Sequence, residues 1–558
     1  MQELPKLLKR VRLPYAAVLG RITASVHSGR TKSRPKIKIF ELLVEKIDQN
    51  QKISGFWGKM GKAKAHGSEK NYQKLEKCSI IVDMNILMVT SEAVPFSKSG
   101  GLADVVGALP QALNNKKQDA RIIVPAYNTT NEDAGDLVCM LEVPMLAKVQ
   151  KVEIRQKTVN NVIYYFVCHP MYGQRLGIYG DTSFQPYEDN FSRFTVLCKA
   201  SLMLCEAIGW KPDVIHCHDW TTGLVPYLLK VKNSQFYIGT KTIFTIHNLA
   251  YQGTFPRMDF LFANCKPNQK LFSNGQINML QAGLVYADYI TTVSPTYAKE
   301  IQTQAQGCGL ESIICKRKNR LKGIINGIDI NEWNPQKDPL IPYHFSVGRM
   351  GGKDKLKAEI QQKFGLEVRA DVPLFAMISR IASQKGFDLV LQCLEPLLKE
   401  QDIQFIIIGT GDSTIENALK DVQTRCKNLS VNILFSNKIA HLVEAGSDFF
   451  LMPSRYEPCG LNQLYSLRYG TIPIAHKTGG LADTIIDVDE YPERGTGLLF
   501  EELSAENIKK HILRAIQLYN RTEGNGCLKN IRKRAMEQDF SWEASAKEYI
   551  ALYESILK

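Results

Sequence analysis

Basic side chains and paired glycines occur together in two nearly identical segments of the chain. KSGGLAD begins at Lys98, and KTGGLAD begins at Lys477. Paired glycines allow the backbone to come close to a ligand, and the amides that open a following helix favour an anion. A neighbouring lysine adds a positive charge, so each segment predicts a phosphate-binding loop. A plain turn before a helix is the alternative for either segment alone, and the duplication disfavours it.

Two further segments carry charges where apolar runs end. ISRIASQKG places Arg380 and Lys385 after a predicted strand, where two cations could neutralise a diphosphate leaving group. In PSRYEPCGLNQL, Glu457 lies in a predicted turn, and a helix is predicted to start near Gly460. A carboxylate there could hold sugar hydroxyls while free amides hold a phosphate. A solvated surface pair and a helix-capping acid are the structural alternatives.

Histidines end two other predicted strands. HCHDW contains His218 and Asp219, and IHNLAYQG contains His247 and Asn248. The two histidines of HCHDW share one face of a strand, whereas the cysteine between them points to the other. We therefore expect no metal at HCHDW and expect His218 and Asp219 to reach a polar ligand. IIIGTGD has only two glycines of a dinucleotide fingerprint, which is weak evidence for NAD.

These residues require alternating strands and helices to position them. The predicted strands are MNILMVTSEAVPF, RIIVPA, DVIHCH, TIFTIHN, YITTVS, PLFAMIS, QFIIIGTG, FFLMPS and TIPIAH. Predicted helices between them include 102–113, 191–208 and 387–400. This alternation predicts an α/β protein with parallel sheets covered by helices on both faces. The chain is too long for one such sheet, so we expect two lobes that meet near 324–335, and a final helix capped by Ser541.

Composition excludes several classes of protein. The chain has 558 residues, of which 44% are hydrophobic and 23% charged, as in ordinary globular proteins. Its 13 cysteines are scattered without CxxC pairs, which favours a reducing compartment over a disulfide framework. No apolar run reaches the length of a membrane span. Of the net charge of +14, most belongs to the first 80 residues, which hold 18 Lys and Arg and 6 Asp and Glu. The main body therefore gives no indication of nucleic-acid binding.

Residues 1–83 are predicted to be a basic, poorly ordered extension. Residues 1–40 contain a single acid, Glu3, and many bases, which resembles an organelle transit peptide. A basic arm for anionic partners and sequence upstream of the true start are the other possibilities. We expect a dispensable extension on a cytoplasmic enzyme, with a plastid location as the alternative. Met84 is then the natural start of the main body.

Taken together, the motifs resemble the bacterial glycogen synthase and plant starch synthase family. The resemblance rests on ILMVTSEAVPFSKSGGLADVVGALP, HCHDWTTGLVP, TIHNLAYQGTF, GIINGIDINEWNP, SRIASQKGFDLV and MPSRYEPCGLNQLYSLRYGTIPIAHKTGGLADTI. It covers essentially all of 84–558. It implies a GT-B fold, with two Rossmann-like domains over 84–330 and 331–538 that face a cleft. A C-terminal helix over 539–558 is expected to cross back to the first domain.

The resemblance also implies a reaction and its partners. Members transfer glucose from a nucleotide diphosphate sugar, usually ADP-glucose, to the non-reducing end of an α-1,4-glucan with retention of configuration. No cofactor or metal is expected, and the partners are the ADP-glucose donor and a glycogen or starch acceptor. The oligomeric state is not predicted. Preorganised charges, rather than a strong nucleophile, would supply most of the rate.

Carried over by motif, the family's catalytic positions are His218, Arg380, Lys385 and Glu457. Its substrate-binding positions are Lys98, Gly100, Gly101, Asp104, Asp219, Asn248, Phe435, Cys459, Gly460, Leu461, Thr478 and Gly479. His218 is expected near the anomeric carbon, Arg380 and Lys385 at the diphosphate, and Glu457 at sugar hydroxyls.

One position departs from the family's pattern. Members commonly carry a tyrosine that packs on the adenine, and Phe435 takes its place here, so stacking is kept and a hydroxyl is lost. A UDP-glucose-using synthase is therefore an alternative. A sucrose- or trehalose-type transferase is disfavoured by KSGGLADV and EPCGLNQL, and no lysine environment for a phosphorylase's pyridoxal phosphate is found. An inactive glucan-binding scaffold would not need every charged motif residue.

Overall fold

The structure is a computed structural model that describes residues 83–558, except 129, 131–132, 147, 183–184 and 522–526. The predicted extension over 1–83 thus lies outside the described residues, apart from its last one. The α-helices are α1 (Gly101–Asn114), α2 (Pro170–Gly173), α3 (Asn190–Ala207), α4 (Leu224–Lys232), α5 (Met279–Tyr286), α6 (Pro295–Glu300), α7 (Glu311–Lys316), α8 (Gly351–Lys363), α9 (Phe387–Glu400), α10 (Ser413–Arg425), α11 (Asn437–Gly446), α12 (Asn462–Arg468), α13 (Gly479–Thr484), α14 (Ala505–Tyr519), α15 (Leu528–Met536) and α16 (Trp542–Leu557).

The strands form two large sheets and one small one. They are β1 (Asn85–Val89), β2 (Asp119–Pro125), β3 (Asp136–Val143), β4 (Gln150–Val159), β5 (Val162–Cys168), β6 (Val214–His218), β7 (Lys241–Ile246), β8 (Thr254–Pro256), β9 (Phe272–Ser273), β10 (Gln276–Asn278), β11 (Tyr289–Thr292), β12 (Leu321–Gly323), β13 (Leu374–Ile378), β14 (Gln404–Gly409), β15 (Leu429–Ile433), β16 (Phe449–Met452), β17 (Ile472–His476) and β18 (Leu498–Phe500). All nine predicted strands are present. None of the helices in the described part of the chain has the length and apolar character that a bilayer span requires.

The first large sheet has the order β12-β11-β7-β6-β1-β2-β5-β4-β3. Neighbouring strands from β12 to β5 run parallel, whereas β4 pairs antiparallel with β5 and with β3. All five residues of β6 are buried, as expected for a central strand covered on both faces. The carboxyl ends of the parallel strands therefore bring the loops after β1, β6, β7 and β11 to one edge of the sheet.

The second large sheet has the order β15-β14-β13-β16-β17-β18, and every neighbouring pair in it is parallel. One apolar core on each side of this sheet packs it against its helices, and the first sheet has the same arrangement. The predicted α/β fold with two parallel sheets is thus confirmed, with an antiparallel edge added to the first sheet.

The chain passes twice between the two sheets. After β12 it runs to the second sheet, and the Ile328 amide donates to the Phe540 carbonyl at 2.8 Å as the chain returns. Helix α16 then packs against the first sheet, where the Tyr553 hydroxyl lies 2.8 Å from Nδ1 of His216. We propose that these passages separate the domains 84–330 and 331–538 from the returning segment 539–558.

Candidate active site

A cavity of about 320 Å³ is lined by residues from both large sheets. The loop after β1 contributes Gly100 and Gly101, and the second sheet contributes the rest. Charged and polar lining groups come from the loop after β13, the turn after β16 and the start of α12. They are Ser379, Arg380, Lys385, Ser454, Glu457 and Asn462. The first glycine loop and the two predicted cations thus share one cavity.

A buried carboxylate holds the first glycine loop. Glu92, which is only 2% exposed, accepts the amide and the hydroxyl of Ser99, the latter at 2.9 Å, and the Gly100 amide at 3.4 Å. The Tyr179 hydroxyl donates to the same carboxylate at 2.9 Å. Burial raises the pKa of Glu92, and these donors oppose that shift. Sequence reasoning missed Glu92; its position at the end of an apolar strand, in TSE, was the available signal.

Lys98 forms an ion pair inside its own lobe. Its ammonium nitrogen lies 2.7 Å from Oδ1 of Asp104, and its side chain is 49% exposed. Burial raises the pKa of Asp104, and the charge and hydrogen bond of Lys98 act in the opposite direction. Neither residue lines the cavity. The predicted contact of Lys98 with donor phosphates stays a prediction.

The two predicted cations after β13 are held differently. Arg380 is exposed and donates to the Gln384 side-chain oxygen at 3.1 Å. Lys385 lies 2.6 Å from Oε2 of Glu457, and their side chains are 20% and 9% exposed. The Ser454 hydroxyl donates to the same oxygen of Glu457 at 3.0 Å. The lysine and the glutamate therefore form one fixed polar group at the wall of the cavity.

The side chain of Gln463 packs closely against the turn that carries Glu457. Gly460 has φ of +71°, and a Cβ there would lie 2.4 Å from the Gln463 side chain. Gly460 and Leu461 line the cavity, whereas the Cys459 carbonyl accepts from the Gln463 amide at 2.9 Å. Burial raises the pKa of the Cys459 thiol to about 12, so it stays protonated at neutral pH.

The residues after β6 and β7 form a buried polar cluster. Nδ1 of His218 lies 3.0 Å from Nε2 of His247, and Nε2 of His218 is buried without a hydrogen-bond partner. Asp219 accepts the amides of His247 at 2.7 Å and Asn248 at 3.4 Å, while Asn248 accepts the Ala250 amide at 3.0 Å. This cluster borders the first sheet's carboxyl edge but does not line the cavity.

Burial sets the charge of this cluster. It lowers the pKa of His247 to about 3 and that of His218 in the same direction, so both imidazoles are neutral at pH 7. Burial raises the pKa of Asp219 to about 7, although the two amides that it accepts stabilise the carboxylate. Within the described residues, no group of three or more His, Cys, Asp and Glu side chains could hold a metal ion.

Three predicted donor-binding residues lie outside the cavity, and their roles stay predictions. Phe435, in the loop between β15 and α11, is 91% exposed and lies outside the cavity. Its stacking role stays a prediction. The Thr478 hydroxyl and the Gly479 amide each donate to Oε1 of Glu300 at 3.0 Å, which joins the loop after β17 to the helix after β11.

Comparison with known proteins assigns the chain to a family. The profile described as "Starch synthase catalytic domain" matches residues 85–316, and "Glycosyl transferases group 1" matches 358–534. Glycogen synthase 2 of Geobacter sulfurreducens is 41% identical over 482 residues, which are 84% of this chain and 98% of that protein. The chain belongs to the glycogen synthase family. Glycogen synthase of Syntrophotalea carbinolica, at 42% identity over 84% of this chain and 98% of its own, agrees.

A solved structure of the family supports the same assignment. The catalytic domain of starch synthase IV from Arabidopsis thaliana, bound to ADP and acarbose, superposes with a TM-score of 0.77 at 30% identity. The match covers 85% of this chain and 100% of that one. A sucrose-phosphate synthase from Thermosynechococcus elongatus, at 17% identity and a TM-score of 0.55, shares the fold alone. The protein is therefore a glycosyltransferase with the GT-B fold of the glycogen synthase family.

Proposed function

We propose that the protein transfers glucose from ADP-glucose to the non-reducing end of an α-1,4-glucan, with retention of configuration, in glycogen biosynthesis. The observation that carries the proposal is the cavity where Gly100 and Gly101 of the first sheet face Arg380 and Lys385 of the second. Glycines that leave room for a ligand next to paired cations suit a diphosphate. The ADP in the related starch synthase structure supports that donor. We place the reaction in the cytoplasm, which the scattered cysteines favour.

The two cations would stabilise the departing ADP. An ammonium group carries three donors, and Glu457 takes one of those of Lys385, which leaves others for phosphate oxygens. Arg380 gives one N–H to Gln384 and keeps the rest of its planar fork for the diphosphate. Because Glu457 fixes the lysine before substrate arrives, the charge needs little reorganisation in the transition state. Glu457 itself would accept hydroxyls of the transferred glucose.

The neutral histidine pair would bind the glucose of the donor. His218 and His247 share one proton across their 3.0 Å contact, so the tautomer of one sets that of the other. We propose that the buried Nε2 of His218, which has no hydrogen-bond partner, contacts a sugar hydroxyl near the anomeric carbon when the donor binds. We also propose that Lys98, Asp104, Asp219 and Asn248 bound the first-domain side of the substrate site.

The second-domain loops would hold the rest of the donor. We propose that the amides of Cys459, Gly460 and Leu461 donate to phosphate oxygens. We also propose that the ring of Phe435 stacks on the base. The ring of Phe435 keeps the stacking surface and has no hydroxyl, so the base is recognised by its face there. UDP-glucose use is the second candidate, which that missing hydroxyl favours.

A donor comparison tests the proposal. Purified full-length protein is incubated with glycogen and either ADP-glucose or UDP-glucose labelled in the glucose, and label in precipitated glycogen is measured. We expect incorporation mainly from ADP-glucose, and α-amylase digestion should release the label as short α-1,4-glucans. Faster incorporation from UDP-glucose would replace the proposed donor. No incorporation from either donor, with glycogen still bound, would indicate an inactive scaffold.

A further inference from the structure

Two short helices, one in each lobe, are joined by hydrogen bonds. Each helix supplies a carboxylate that accepts hydrogen bonds from the other lobe. Helix α6 follows β11 of the first sheet, and α13 follows β17 of the second. Glu300 of α6 accepts the Thr478 hydroxyl and the Gly479 amide, each at 3.0 Å. In return, Asp483 of α13 accepts the Thr296 hydroxyl at 2.7 Å and the Thr296 amide at 2.8 Å. Each carboxylate thus binds one hydroxyl and one amide of the other lobe. We call these five residues the latch.

The two copies of the repeated heptapeptide use equivalent positions differently. In the first copy, Ser99 and Gly100 donate to Glu92, and Asp104 pairs with Lys98, so all of these contacts stay within one lobe. In the second copy the positions equivalent to Ser99, Gly100 and Asp104 are the latch residues Thr478, Gly479 and Asp483. The same hydroxyl, amide and carboxylate therefore join the two lobes instead of folding back on their own.

Each side of the latch is connected to a part of the candidate active site. In the second lobe, the Gly480 amide donates to the Glu457 carbonyl at 3.0 Å, so α13 begins against the turn whose carboxylate holds Lys385. In the first lobe, the Tyr297 hydroxyl accepts the Leu249 amide at 3.2 Å, directly after Asn248. A change in the distance between α6 and α13 would therefore change the spacing of these two loops.

We propose that Glu300 and Asp483 are positioning residues that hold the two lobes in the closed arrangement at which the donor cavity is complete. Closed and open arrangements form an equilibrium, and contacts made only in the closed one bias it. When the closed arrangement is less populated, the apparent affinity for a ligand that needs both lobes falls by the same fraction. The latch would thus act on donor binding more than on the chemical step.

Substitutions that remove the charges test the latch on the full-length protein. We compare the wild type, Glu300→Gln, Asp483→Asn and the double variant by the radius of gyration from small-angle X-ray scattering, with and without ADP. We expect a larger radius in each variant without ADP, largest in the double variant, and a return toward the wild-type radius when ADP is added. Glu400→Gln is the matched control, because Glu400 ends a helix and pairs with Lys509 within the second lobe.

Kinetics give a second readout, which rests on the proposed function. We expect the KM for ADP-glucose to rise roughly tenfold in the double variant while kcat changes less than about threefold. Thr296→Val should raise this KM. Thr296→Ser keeps the hydroxyl and should have a KM close to that of the wild type. Unchanged radius and unchanged KM in the double variant would overturn the proposal, as would equal losses in kcat and thermal stability without a change in radius. If the wild type transfers no glucose, the proposed function fails, whereas the radius still decides for or against the latch.

Discussion

Arg380 and Lys385 lie five residues apart on one loop, yet the fold constrains them unequally. Lys385 is paired with the buried Glu457, whereas Arg380 is exposed and makes one neutral hydrogen bond to Gln384. An exposed side chain of this kind contributes little to stability. The place of Arg380 in the wall of the cavity is therefore the observation that supports its proposed role toward a diphosphate.

Truncating either cation should reduce turnover without unfolding the protein. We expect Arg380→Ala and Lys385→Ala to lower kcat by about 10²–10³-fold, because each removes a preorganised charge opposite the leaving diphosphate. Thermal unfolding midpoints should stay near that of the wild type for Arg380→Ala and fall modestly for Lys385→Ala, which leaves Glu457 unpaired. Arg425→Ala is the matched control, since Arg425 pairs with Glu395 on the surface of the same lobe. Near-normal kcat in either cation variant would refute the assigned role.

Glu92 was not predicted as a site residue from the sequence. Its hydrogen bonds in the structure show that it holds the first glycine loop. We expect Glu92→Gln to lower kcat/KM about tenfold, because the neutral amide holds Ser99 and Gly100 more weakly. Ser99→Ala removes only one of these contacts and should have a smaller effect. Glu153→Gln serves as control, because Glu153 pairs with Arg155 on strand β4 and does not line the cavity. Equal kinetics for the Glu92 and Glu153 variants would show that the loop does not depend on this carboxylate.

At the scale of elements, equivalent residues in the two heptapeptides meet different backbone demands. Gly100 has φ of −158°, and a Cβ added to it meets nothing within 4 Å. Gly479 has φ of +45°, and a Cβ there would lie 2.0 Å from the Glu457 carbonyl oxygen. The first glycine leaves room for a ligand, whereas the second allows two protein loops to touch.

This difference predicts that substitution by alanine will reduce the free energy of unfolding at Gly479 and hardly change it at Gly100. Gly479→Ala should destabilise the protein by about 1–3 kcal/mol, since the side chain both strains the backbone and displaces the Glu457 turn. Gly100→Ala should change stability by less than about 0.5 kcal/mol, whatever it does to activity. Urea unfolding monitored by tryptophan fluorescence measures both. Equal destabilisation by the two substitutions would mean that the loops are packed alike.

The element bounds show what the sequence patterns could and could not predict. Apolar runs such as QFIIIGTG and FFLMPS identified most of the buried parallel strands, because strands covered on both faces are mainly apolar. The interior strand β5 was not predicted, although it is largely buried. The antiparallel strands β3, at the edge of the first sheet, and β4, next to it, were not predicted, since both mix exposed and buried residues and carry charges. In the site, motif residues such as Arg380 and Lys385 were found from local charge at strand ends. The latch could not be predicted in this way, because Glu300 and Asp483 acquire their partners only when two distant helices pack together.

A buried cluster in the second lobe makes stability depend on pH. Nδ1 of His441 lies 2.8 Å from Asp338, its Nε2 lies 3.7 Å from Glu332, and the Trp333 ring stacks on the imidazole at 3.7 Å. Burial acts to lower the pKa of His441, but hydrogen bonds and charges of Asp338 and Glu332 outweigh it and raise the pKa to about 8. The ordinary value is 6.5. The charged histidine is therefore bound more tightly by the folded state.

This shift predicts a loss of stability at alkaline pH. The contribution, about 2 kcal/mol, is fully present below about pH 6.5 and is lost as pH rises through about 8. The unfolding midpoint of the wild type should therefore fall between pH 6.5 and 9 more steeply than that of His441→Asn, which cannot titrate. Thermal unfolding of both proteins at half-unit pH steps measures the difference. Parallel curves would show that His441 does not carry this dependence.

For the whole molecule, the last helix completes the core around β1, the first strand of the described residues. Helix α16 follows the second sheet but contributes Trp542, Tyr549 and Tyr553 to the apolar core that also contains residues of β1. Lys322 of β12 pairs with Glu548 of the same helix at 3.0 Å. The first lobe therefore depends on residues that are separated from it by the entire second lobe.

Two truncations should consequently have opposite effects. Removing residues 1–83 should leave glucose incorporation from ADP-glucose within about threefold of the full chain. The starch synthase profile begins at residue 85, and 84% of this chain is enough to match 98% of the Geobacter relative. Removing residues 542–558 should unfold the first lobe, since the loss of each large buried aromatic side chain costs about 3–5 kcal/mol against a total stability of about 5–15 kcal/mol. Circular dichroism, limited proteolysis and the glucose-incorporation assay on both truncated proteins measure these outcomes. A folded, active protein without α16, or an inactive one without residues 1–83, would show that the division of the chain proposed above is wrong.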